Sequence, residues 1–129
     1  TAAFANGEVH WVRAVLDVNN EASGNDVFFY TSEDGETWTQ LGNTVTTAGV
    51  TSIFDSTSAV EIGSRFGGTV GALAGSVYYV EIRNGIDGTV VNSFDASTVT
   101  PAGPRDPATV TAGGPWTING ASWSWASGT

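Results

Sequence analysis

The feature that most constrains this chain is the dipeptide Asp34-Gly35, set between two runs of strand-forming residues. Residues 27–32 (VFFYTS) are rich in β-branched and aromatic side chains, and residues 37–41, carrying Trp38, follow the turn. Asp-Gly supplies the backbone angles that a tight hairpin needs, so the two runs should fold back on each other as antiparallel strands. The same period-two signal recurs elsewhere. Residues 8–18 (EVHWVRAVLDV) set Val9, Trp11, Arg13 and Val15 against His10, Val12, Ala14, Leu16 and Val18. Neither set is purely polar, which predicts a central strand covered on both sides. Residues 73–83 (LAGSVYYVEIR) set Val77, Tyr79, Glu81 and Arg83 against Tyr78, Val80 and Ile82. Further strands are expected at 44–54, bent at Gly49, at 59–64 (AVEIGS), and at 89–94 after turns at Asn84-Gly85 and Asp87-Gly88. No stretch carries a helical apolar stripe, and the abundant Gly and Thr lower helix propensity. The expected class is all-β, an antiparallel β-sandwich or barrel with Gly-rich turns.

A length of 129 residues suits one domain with a core of its own. The sandwich core is expected over residues 1–97. Pro101, Pro104 and Pro107 mark residues 98–115 as an extended connector, because proline donates no ladder hydrogen bond. Residues 116–129 then form a Trp-rich strand or hairpin about Asn119-Gly120, apolar enough to dock on the sandwich or on a neighbour. Thirteen acidic side chains against four arginines give a net charge of −9, which repels phosphate backbones and argues against nucleic acid as a partner. No apolar run approaches the ~20 residues of a membrane-spanning helix, so no membrane partner is expected. The chain holds no cysteine and a single histidine, His10, so disulfides, thiolate chemistry and two-histidine metal sites are excluded.

Four constellations could carry chemistry. Retaining glycosidases need two carboxyls about 5 Å apart on one face. Neither the strand through Asp17 nor the strand through Glu81 offers a second carboxylate at the right spacing, and no G-x-S-x-G elbow exists. The chain is therefore read as a non-enzyme. Asp17, Asn19, Glu21 and Asp26 form an oxygen-rich stretch that calcium could use. The EF-hand pattern fails there, with Ala22 and Phe28 at two required positions, and a solvated hairpin loop rich in turn formers is the better account of the composition; no cofactor is expected beyond this calcium candidate. Trp123 and Trp125 lie two apart with Trp116 one hairpin away, suited to sugar stacking, core closure or subunit contact. Residues 32–38 (SEDGETW) come within one residue of an Asp-box, and read as a hairpin whose Trp packs inward while Asp34 and Thr37 satisfy turn amides.

The order WVRAVLDVNN, VFFYTSEDGETWTQLG, TSIFDSTSAVEIGSR and LAGSVYYVEIRNGIDGTVV resembles the concanavalin A-like, laminin-G-like jelly-roll domain over residues 8–97. It is most similar to versions found in structural proteins of tailed phages of actinobacteria, with Ile62-Gly63 as a core pair. The resemblance implies a non-enzymatic virion protein, a capsid decoration or minor tail component exposed on the particle. Its implied partners are other virion proteins and further copies of itself. A carbohydrate-binding module for host-surface glycans is the alternative. Members of that family usually carry several strands ahead of the one at Trp11. Either this chain is a fragment, or a neighbouring subunit completes the sheet by β-augmentation.

Overall fold

The computed structural model describes residues 4–5, 7–53, 55 and 57–98. It is all-β, with antiparallel pairing throughout; the helical content of the described residues is one 3₁₀ turn, Ala96–Thr98. The chain divides into two compact units, Thr1–Ser56 and Thr57–Thr129. The connector at 98–115 and the Trp-rich segment at 116–129 lie outside the described residues, save Thr98.

The first unit is a sheet built around one long strand. β1 (Trp11–Asp17) pairs with β2 (Gly24–Ser32) in unbroken register, from Trp11 opposite Ser32 to Asp17 opposite Asp26. The other edge of β2 takes two short strands end to end. β3 (Thr39–Gln40) pairs at Tyr30 and Thr31, and β4 (Val45–Ala48) pairs at residues 24–27. A reversal at Gly42, φ +74°, separates the two, while Leu41 N still donates to Phe29 O at 2.7 Å. The hairpin announced by Asp34-Gly35 is present, although its return strand is two residues rather than five. The strand expected over 44–54 shrinks to β4, since Gly49 adopts φ +92° and its N–H turns away to Ser23 O.

One expectation for β1 is overturned. Its alternation predicts a central strand covered on both sides; among the described residues it pairs with β2 alone and so forms an edge of the sheet. Its two faces also differ. Trp11, Arg13, Val15 and Asp17 are half-buried, whereas Val12 and Ala14 are exposed, Val12 to 69 %. Alternation showed that neither face was polar, yet apolar residues tolerate exposure wherever no second layer covers them.

The second unit holds β5 (Tyr79–Asn84) and β6 (Thr89–Asp95), an antiparallel pair. Ile82 faces Asn92 but Arg83 faces Val90, so Val91 is an extra residue in a bulge that shifts the alternation beyond Ile82. Val80, Ile82 and Phe94 share the half-buried face. Residues 59–64 form no strand, and residues 73–78 do not join β5; between them the ordered pairing is one bridge, Arg65 opposite Val70. Gly63, Gly67, Gly68 and Gly71 all take positive φ, which breaks the extended backbone that apolar alternation alone would favour. Of the expected core pair, Ile62 is half-buried and Gly63 is exposed.

Candidate functional site

The oxygen-rich candidate falls at one end of the β1–β2 hairpin. Here the register juxtaposes what spacing along a single strand could not: Asp17 and Asp26 are direct cross-strand partners on one face. Asp17 Oδ1 accepts from Asn19 N at 3.1 Å, and Asn19 Oδ1 accepts from Glu21 N at 3.2 Å. Asn20 Oδ1 accepts from Ala22 N and Gly24 N, both at 3.0 Å. These side chains therefore shape the loop in a run of Asx turns, which lets Glu21 and Ser23 hold φ near +60°. Asp26 Oδ1 is closed off from solvent and accepts no hydrogen bond. Among the described residues, no group of three or more acidic or histidine side chains converges as a metal cluster. The structure thus brings Asp17 and Asp26 together and leaves Asn19 and Glu21 in the turn.

Two carboxylates facing across a ladder repel. Asp26→Asn is expected to stabilise the protein by about 0.2–1 kcal/mol in metal-free buffer, with calcium leaving the wild-type melting temperature unchanged. A calcium-induced rise in that temperature, absent from the variant, would instead assign a cation to the pair.

The same face carries aromatic residues toward the other end. The Arg13 guanidinium lies 5.6 Å from the Tyr30 ring centroid and 5.8 Å from that of Trp38. Phe28 stacks on Tyr30 at 6.4 Å. Cation–π attraction within the sheet accounts for this position of Arg13 over the two rings. That placement sets a cation against one face of each ring. Trp116, Trp123 and Trp125, the sequence candidates for glycan or subunit contact, lie outside the described residues.

The remaining polar clusters have local partners. Glu81 accepts from Tyr79 Oη at 3.0 Å and from Arg83 Nε. Burial and that carboxylate push the Tyr79 phenol up, and Glu81 raises Arg83 in turn. Glu8 binds His10 Nε2 and the Ala5 amide, which together hold its carboxyl below the usual range.

What the sequence did not single out is the opposite face of the first sheet. Val12, Ala14 and Leu16 of β1, Val27 and Phe29 of β2 and Val45 of β4 share it, and the register places no charged residue among them. All the charges of these strands, Arg13, Asp17 and Asp26, stand on the other side. Compared with protein-family models, curated proteins and solved structures, the chain has no match.

Proposed function

We propose that this chain is a non-enzymatic structural module of a tailed-phage virion, a jelly-roll sandwich that decorates the capsid or forms part of a tail appendage. The observation that carries this reading is the uncharged face of the first sheet. Val12, Phe29 and Val45 are 69 %, 44 % and 52 % exposed there, and no large side chain among the described residues is fully buried. A contiguous apolar face of this kind is a hazard for an isolated monomer and an asset for a part that other protein covers. In this reading a second β-layer of the sandwich, neighbouring virion proteins and further copies of the chain supply that cover.

Two further observations support adhesion over catalysis. Glu81 is engaged by Tyr79 and Arg83, and the Asp17–Asp26 pair sits at a loop-lined end of its sheet with Arg13 turned to the aromatic rings. The motif order that resembles phage jelly rolls selects the virion as the setting. The reading assigns no cofactor, and nucleic acid and membrane are not its partners.

Quantitative mass spectrometry of purified particles of the encoding phage tests it. The expected result is a fixed copy number per particle, matching a multiple of the particle's symmetry. Absence from washed particles would overturn it. Binding of the isolated monomer to cell walls, lost on Trp123→Ala or Trp125→Ala, would favour the carbohydrate-binding alternative instead.

A further inference from the structure

Within the first sheet, β4 pairs with β2 on one side, and among the described residues no strand pairs with its other side. The register shows which backbone groups that leaves open. Antiparallel ladders alternate between residue pairs that exchange both hydrogen bonds and pairs that exchange none. Gly49 N donates to Ser23 O at 2.8 Å, and this pair follows Ala48–Gly24 in the register. Counting back from it, Thr47–Asn25 and Val45–Val27 are the exchanging pairs, so Thr46 and Ala48 turn their N–H and C=O groups away from β2. The phase is the same at β3, where Leu41 N donates to Phe29 O, two residues along β2 from Val27. Gly42 and Gly49, both at positive φ, bound this open edge on either side.

Proteins guard such an edge with charge, with proline or with a covering loop. This edge has none of the three: residues 37–54 hold neither a charged side chain nor a proline, and Val45–Ala48 are exposed throughout. Its sequence is also complementary to itself. Laid antiparallel on a second copy about a two-fold axis at Thr46, it sets Thr46 opposite its own mate, Val45 opposite Thr47, and Thr44 opposite Ala48. In that register the outward N–H and C=O groups of Thr46 and Ala48 meet outward groups of the other copy, and no like charges face each other. A net charge of −9 makes copies of this chain repel, yet along this line they do not. The two Asp26 residues stand three strand spacings apart, about 14 Å, beyond a screening length of about 10 Å. We infer that the β4 edges of two copies pair antiparallel about Thr46 and join their first sheets into one. Val45 shares a face with Val12, Val27 and Phe29, so the uncharged face runs on across the pair. The contact is isologous and closes at two copies. It deepens the assembly reading, and rests on it for the expectation that many copies meet.

Sedimentation velocity of the whole chain over a range of concentrations reads the association. Thr46→Pro removes an N–H that the β2–β4 ladder does not use, and proline is tolerated where that group faces solvent. The wild type should dimerise as concentration rises, and Thr46→Pro should do so at least about tenfold more weakly with an unchanged circular dichroism spectrum. Cysteine trapping reads the register without relying on that variant. The chain has no cysteine of its own, so a single introduced one links only to another copy. Thr46→Cys places two thiols at the axis with Cα atoms about 5.5 Å apart, within disulfide reach, and mild oxidation should join them. Val45→Cys faces Thr47 of the second copy and should join at least about tenfold more slowly. A wild type monomeric to millimolar concentration would overturn the inference. So would a dimer that folded Thr46→Pro leaves intact, or equal trapping at the two positions, either of which would place the contact elsewhere. Particles that hold the chain at fixed copy number while the free chain stays monomeric would sink this contact and leave the virion reading standing. Trapping at Thr46→Cys in a chain absent from particles would do the reverse.

Discussion

Gly35→Ala should destabilise the protein by about 2–4 kcal/mol, the larger part from steric conflict and the rest from backbone strain. Gly35 sits at φ +77°, and a Cβ there would stand 2.8 Å from Trp11 Cε2, with Cδ2 and Cζ2 of the same ring within 3.2 Å. The hairpin tip therefore lies against the indole at the start of β1. A methyl group must push away either the ring or the tip. The ring is half-buried on the face shared with Arg13, and the tip is pinned by the hydrogen bonds of Ser32 and Asp34. Neither yields easily. Urea unfolding followed by tryptophan fluorescence gives the change directly. A loss below about 0.5 kcal/mol would mean that the tip moves freely over Trp11, contrary to the packing described.

That contact shows where sequence reading succeeds and where it stops. The Asp34-Gly35 turn, the β1 and β2 strands and the β5–β6 hairpin were legible because each is fixed by neighbours in sequence: alternation, β-branched content and turn chemistry. The cross-strand meeting of Asp17 with Asp26 was not legible. It depends on a register set by a loop whose length alone does not fix its geometry, since Asn19 and Asn20 organise it through their own side chains. The apolar alternation at 59–64 misled for a related reason. Ile62 and Val60 favour a strand locally, but Gly63, Gly67, Gly68 and Gly71 adopt positive φ angles that break the extended backbone from Gly63 onward. The uncharged face of the first sheet escaped notice because alternation sorts residues into two sets without saying which set is covered. Val12, Ala14 and Leu16 look like core on any pattern, and the structure leaves the first two exposed.

The turn that Gly35 closes also makes stability depend on pH. Asp34 Oδ1 accepts from Glu36 N at 2.8 Å, Thr37 N at 2.7 Å and Ser32 Oγ at 2.8 Å. Ser32 Oγ in turn accepts from Gly35 N at 2.9 Å and is the buried polar residue of the hairpin. The amides of Thr37 and Glu36, then the Ser32 hydroxyl, hold the Asp34 carboxyl far below its ordinary range. A carboxylate that releases its proton more readily in the folded state contributes its full stability above the unfolded value, near 4, and loses it as pH falls through the folded one. Asp34→Asn should therefore melt at a lower temperature than the wild type at pH 7, and the gap should narrow steadily between pH 4 and pH 2. Both proteins will still weaken in acid, because Glu8 and Asp95 are lowered by His10 and Ser97 respectively and remain in the variant. Asp34 is exposed, so water screens its charge and the effect resides in the hydrogen-bond geometry. Added salt should leave the gap at pH 7 nearly unchanged. A gap that stays constant from pH 7 to pH 2 would show that ionisation of Asp34 contributes nothing to the turn beyond the side chain's shape.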